Sequence, residues 1–111
     1  MSIQTSNVTT TGNAVYTSSG NTAVTWLSIC NFSNSTVVAN VYVVPNGSSL
    51  SNTNIVLASL TLASGGAGNA GGDTYQVYSA GEKLLLGNGD AIWINANANT
   101  SLTAVTSYTT I

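Results

Sequence analysis

Five side chains exhaust the groups on which acid–base, redox or metal chemistry could be built: Asp73, Glu82, Asp90, Lys83 and Cys30. Histidine and arginine are absent. A serine nucleophile needs a general base within reach, and a reactive thiol needs a cationic or imidazole neighbour. Lys83 is the only candidate for either role, and no motif surrounds it. Glu82 and Lys83 are chain neighbours, so on a strand they point to opposite faces and do not act as a pair. Asp73 and Asp90, with Asn side chains and carbonyls, are the raw material for a calcium site, but no acidic loop spacing accompanies them. Asp90, after Gly89 at the start of a strand, reads instead as a turn acceptor. The glycine-rich stretch 65–72 lacks the following helix and the lysine of a phosphate cradle and reads as a mobile exposed loop. Cys30 lies among apolar neighbours in Trp26–Phe32, which reads as a buried inert thiol. Catalytic residues, cofactor-binding residues and metal ligands are therefore all expected to be none, and the chain is expected not to be an enzyme.

The elements that would carry any other function must come from an unusual composition. Only 4% of the 111 residues are charged, while hydrophobic residues make up 43%. Ser, Thr and Asn fill 45 positions, so hydroxyls and amides do the solubilising that charges ordinarily do. A formal net charge of −2 cannot offset phosphates, which excludes binding to nucleic acid by charge. One cysteine cannot form an internal disulfide. The first residues carry no basic and apolar leader pattern, and no apolar run approaches the length of a membrane helix. Synthesis in a cytoplasm without export, and no membrane partner, are the corresponding expectations.

Short runs rich in Val, Ile, Thr and Tyr recur between Gly, Asn and Ser clusters, a spacing that predicts an all-β antiparallel sandwich, Ig-like or jelly-roll-like, of about seven or eight strands. The runs are Ala14–Thr17, Ala23–Phe32, Thr36–Val44, Asn54–Leu62, Thr74–Tyr78, Lys83–Leu86, Ala91–Asn95 and Leu102–Ile111. Residues 1–12 read as an extended arm or weak first strand, and 13–111 as one sandwich domain. Alternation puts Val24, Trp26, Ser28, Cys30 and Phe32 on one face of their run and Leu27 and Ile29 on the other. It likewise divides Val37, Ala39, Val41 and Val43 from Val38, Asn40, Tyr42 and Val44. Trp26 and Trp93 lie on apolar patterns and are expected in core or interface packing. Pro45-Asn46-Gly47 and Gly87-Asn88-Gly89-Asp90 read as tight hairpin turns, the first with the positive φ of a primed turn, and Asn31–Ser35 as a short hairpin loop. With both faces largely apolar, the runs Ala23–Phe32 and Thr36–Val44 are expected either to be central to the sandwich or to have their outer face covered by another subunit, and the small size of the chain favours oligomerisation.

Taken together, Val41-Tyr42-Val43-Val44-Pro45-Asn46-Gly47, Asp73-Thr74-Tyr75, Glu82-Lys83-Leu84-Leu85-Leu86, Gly89-Asp90-Ala91-Ile92-Trp93 and Val105-Thr106-Ser107-Tyr108-Thr109-Thr110-Ile111 resemble small β-sandwich virion proteins of tailed bacteriophages. The chain is similar to the decoration, or cement, proteins of phage heads, especially those of cyanophage-like phages. The resemblance covers about residues 23–111 and departs from the pattern at the glycine-rich insert 65–72. It implies a structural protein on the outer capsid surface that bridges capsid subunits, a homo-oligomer with a trimer favoured, and the major capsid protein as partner. The alternative it leaves open is a neck, tail or fibre module, receptor- or glycan-binding. Attachment through apolar strand faces, with Val37, Val41 and Val43 or their opposites as candidates, is the expected mode.

Overall fold

Every run in which apolar and polar residues alternate becomes a strand. Residues 2–64, 73–78, 84–99 and 101–111 are described by the structure, a computed structural model. Among them nine strands follow one another: β1 (Ser2–Asn7), β2 (Asn13–Thr17), β3 (Thr22–Asn31), β4 (Val37–Val44), β5 (Ile55–Leu62), β6 (Thr74–Tyr78), β7 (Leu84–Leu86), β8 (Ala91–Ala96) and β9 (Leu102–Thr110). The stretch read as an extended arm or weak first strand is, over Ser2–Asn7, a strand in unbroken antiparallel register with β9. Val8, just after it, is fully buried.

One sheet runs β1-β9-β3-β6, with β7 continuing the outer side of β3 beyond β6; the other runs β2-β8-β4-β5. All ladders between named strands are antiparallel. The pairs β1·β9, β2·β8, β3·β7 and β6, and β4·β5 are nested, so the first part of the chain pairs in reverse order with the second. The chain is thus one long folded ribbon rolled on itself, held by the further pairs β3·β9 and β4·β8. That winding is the jelly roll rather than the Ig arrangement.

The core lies between the sheets, where Leu27, Ile29, Val41, Ile92, Ile94 and Leu102 are fully buried. Each contributes roughly 1.5–3 kcal/mol by leaving water. β-bulges decide which residues reach this core. Val24 pairs with Tyr108 but Trp26 pairs with Ser107, so Thr25 is an extra residue and the facing of β3 switches there. Val24 points inward before the bulge, and Leu27, Ile29 and Asn31 after it. The single-face assignment of Val24 with Trp26, Cys30 and Phe32 is corrected accordingly. Trp26 is 42% exposed rather than in the core, and Cys30 is half-buried on the outer face rather than sealed. In β2 the extra residue is Val15, which lets both Val15 and Tyr16 join the core. The Tyr16 ring lies 4.4 Å from that of Tyr108, and its hydroxyl donates to Thr22 Oγ1 at 3.2 Å.

Two of the expected hairpins are crossovers between sheets. Asn31–Ser35 carries the chain from β3 to β4, and Gly87–Asp90 from β7 to β8, each in the opposite sheet. Local turn chemistry fixes a reversal but not the sheet that the next strand joins. Asn31, fully buried, organises the first crossover with its whole hydrogen-bonding capacity. Its Nδ2 donates to the carbonyls of Ser35 (2.9 Å) and Leu62 (2.8 Å), and its Oδ1 accepts from Ser33 N–H (2.9 Å) and Oγ (2.7 Å). Pro45–Ser48 does turn, closed by Ser48 N–H to the Pro45 carbonyl at 3.0 Å. Only Gly47 has positive φ there (84°), so the turn is type II rather than primed, and it opens a longer excursion before β5.

Asn31→Ala is expected to lower unfolding free energy by about 2–3 kcal/mol, since it strips partners from groups that folding has removed from water; urea titration measures it. The opposite sign is expected at Thr106. It is fully buried on β9, and its Oγ1 has no hydrogen-bond partner among the described residues. Thr106→Val removes that orphan at nearly constant shape and should raise stability by about 1 kcal/mol, or about 4–8 °C in Tm.

Candidate interaction surface

Residues paired directly across an antiparallel ladder point to the same side of the sheet, so the registers assign the outer faces. On the β1-β9-β3-β6 sheet, Ile3, Ser107 and Trp26 form one row across β1, β9 and β3. The neighbouring row is Thr109, Ala23 and Leu85 on β9, β3 and β7. On the other flank stand Thr5, Val105, Ser28 and Gln76, then Asn7, Thr103, Cys30 and Thr74. None of these residues is charged. Ile3 is 69% exposed, Leu85 67% and Trp26 42%. Ile3 and Trp26, two strands and so about 10 Å apart, flank the small Ser107 on this face. Phe32, just past β3, is also exposed.

The outer face of the other sheet is different because the chain covers it. Tyr42, Val44 and Ala91 are buried there. Leu50, from the β4–β5 connection, reaches back so that a methyl placed on Gly12 would meet its Cδ1 at 2.9 Å and the Trp93 ring at 3.7 Å. Polar ties finish the surface: Asn40 Nδ2 donates to Asn95 Oδ1 at 2.9 Å, and Ser59 N–H to Asn40 Oδ1 at 2.8 Å. Val37 and Val41 are fully buried in the core and Val43 is half-buried against it. The candidate contacts at Val37 and Val41 are thereby corrected: their alternation pointed them into the sandwich. The exposed Ile3, Trp26 and Leu85 belong to the other sheet.

The residues that offered chemistry do not converge. Glu82, Lys83 and the stretch 65–72, read as a mobile loop, lie outside the described residues. Asp73 clasps the base of that stretch: its Oδ2 accepts from Ala63 N–H at 2.9 Å, and its own N–H donates to the Ala63 carbonyl at 2.8 Å. Asp90 ties two loops together. Its Oδ1 accepts from Asn46 N–H and its Oδ2 from Gly87 N–H, both at 2.9 Å. Gly89 lies under the Asn46 side chain with φ of 86°, a site where any Cβ would fall within 2.5 Å of Asn46 Cγ. No group of three metal-ligating side chains occurs among the described residues. A polar depression lined by Pro45, Gly47, Ser48, Ser51, Thr53 and Asn54 uses its polar groups on itself: Ser51 and Thr53 share a 2.6 Å hydrogen bond, and Asn54 Oδ1 accepts from Ser51 N–H at 3.3 Å.

The signal that sequence reasoning missed is Ile3, which a polar N-terminal stretch hides among Ser, Thr and Gln. Leu85 was visible as the middle of a three-leucine strand, the one position that must face away when its neighbours face in.

The Asn46 N–H, and after it the Gly87 N–H, hold the Asp90 carboxyl below its ordinary value of 3.8, against a smaller effect of desolvation. A depressed folded-state pKa stabilises the fold above the unfolded value and loses that effect as pH falls through the folded one. The Tm difference between the parent and Asp90→Asn should therefore hold from neutral pH to about pH 5 and shrink on acidification toward about pH 2; thermal unfolding across that range reads it.

No protein-family model, curated protein or solved structure matches this chain.

Proposed function

We propose that this chain is a structural protein of a tailed-phage particle, which binds the outer surface of the head and holds neighbouring capsid subunits together. The observation that carries the reading is the uncharged outer face of the β1-β9-β3-β6 sheet, with Ile3, Trp26 and Leu85 exposed on it. Large apolar side chains exposed on an uncharged sheet face mark an interaction surface, since their contact with water is costly and burial against a partner relieves it. The resemblance of residues 23–111 to head decoration proteins supplies the partner, the major capsid protein. The task is mechanical: added buried area must be broken before capsid subunits separate. It calls for no acid–base group, no cofactor and no metal, in keeping with the residue inventory. On this reading the protein acts as a homo-oligomer, is made in the host cytoplasm and works on the virion surface.

A second reading, a neck, tail or fibre module that grips a glycan, draws on the exposed ring of Trp26, since indole faces stack on sugars. Tyr75, the other exposed ring on this sheet, is paired with the inward-facing Ile29 and does not extend the same platform.

Occupancy on purified particles is the test. Apolar attachment is not screened by ions, so occupancy should stay level up to about 1 M sodium chloride, where the screening length is only about 3 Å, and fall in urea. Trp26→Ala and Leu85→Asp should each weaken attachment about tenfold or more. Release by salt alone, or the low copy number of a neck or tail part, overturns the head-decoration reading; displacement by free glycans favours the second one.

A further inference from the structure

The four sheet edges are not alike. β5, at one edge, sets Ala58 and Ser59 against Asn40 alone, with Ser59 at φ of 56°, and carries Val56 as a further extra residue. β2 is bulged at Val15 and β6 at Val77, and β7 has only three residues. Bulges and short strands are the devices by which edges are closed to further pairing. β1 has neither. Its six residues keep an unbroken register with β9, and Ser-Ile-Gln-Thr-Ser-Asn contains no proline and no charge, the other common protections.

We propose that β1 pairs antiparallel with β1 of a second copy of this chain across a two-fold axis. Three observations favour that occupant. A straight edge extends only with a straight strand, and β1 is the one edge strand of this chain, among the described residues, that has that form. A two-fold axis brings identical residues close together, which any charge of one sign on β1 would oppose, and β1 has none. The residues flanking it on the outer face, Val105, Ser107 and Trp26, are uncharged as well.

The register follows from the residues already engaged. The Asn7 carbonyl is taken by Asn13 Nδ2 at 2.9 Å, so the edge that the described residues leave open runs from Ser2 to Ser6. Pairing that keeps each side chain on its own face of the sheet then centres on Gln4, with Ser2 opposite Ser6 and Ile3 opposite Thr5 of the other copy. Gln4 itself faces the sandwich interior, where its amide donates to the Val15 carbonyl at 3.1 Å. The axis stands perpendicular to the sheet, so the apolar outer faces of both copies lie on the same side of one continuous sheet. This pairing stands whether or not the partner of that face is a capsid.

Sedimentation velocity of the full chain tests it. The parent should show a monomer–dimer equilibrium between micromolar and submillimolar concentration. Ile3→Lys places two ammonium groups diagonally across the axis, and Thr5→Glu two carboxylates. Each alone should weaken the dimer about tenfold or more. An equimolar mixture of the two variants sets lysine opposite glutamate and should restore dimer at low salt, with the gain lost as salt is raised. Both positions are exposed, so unchanged melting of each variant reports an intact fold. A parent that stays monomeric throughout overturns the proposal. So does a dimer that neither variant weakens, or a mixture that does no better than its components.

Discussion

Between Val24 and Trp26, β3 carries one residue more than β9 opposite it, and the Thr25 hydroxyl fastens the excess by donating to the Ser107 carbonyl at 3.2 Å. β3 is the strand that β6, β7 and β9 all pair with, so its change of facing is imposed on the whole sheet. On one side of the bulge Thr22 and Val24 look inward to meet Tyr16 and Tyr108; on the other, Leu27, Ile29 and Asn31 do. Without the extra residue, Trp26 would enter the core and Leu27 and Ile29 would face solvent. The outward Trp26 and the buried Asn31 clasp are two products of that single insertion.

Asn31 also illustrates how a chain with so few charges fastens its loops. Amide side chains reach main-chain groups that no ladder serves: Asn99 receives Thr10 N–H at 2.8 Å, Asn88 receives Gly20 N–H at 2.9 Å, and Asn97 receives Val38 N–H at 3.1 Å. An amide offers both a donor and an acceptor and has no titrating proton. These ties therefore hold at any pH and are indifferent to salt. The two described carboxylates serve the same purpose by accepting from backbone N–H groups.

The strands were legible because alternation is a local property: Val37 to Val44 and Ala91 to Ala96 announce themselves in any window of eight residues. Connectivity was not, because Asn31–Ser35 and Gly87–Asp90 have the composition of hairpin turns and yet carry the chain between sheets. Facing was legible only up to each bulge, since nothing in Val-Thr-Trp-Leu marks Thr25 as the residue without a partner. The surface followed the same rule. Sequence pointed to Val37 and Val41 because they are apolar and alternate, but an apolar stripe cannot say whether it looks toward the other sheet or away from it. Ile3 escaped notice because its strand has no apolar period at all; its place comes from pairing with β9, some hundred residues distant.

That distance has a temporal meaning. Among the described residues β9 alone lies between β1 and β3 and joins them, so residues 2–101 have all been made before this sheet can close. Until residues 102–110 emerge, Ser2–Asn7 has no ladder to join, and the rows that place Ile3 beside Trp26 do not exist. Non-local pairing of this kind is slow to form because its loop-closure entropy is met first. The outward row of Ile3, Ser107 and Trp26 is consequently formed late: a chain that stops before residue 102 lacks it. Sticky residues scattered through the sequence are thus kept from becoming a sticky surface until synthesis has passed the point at which the fold can hold them.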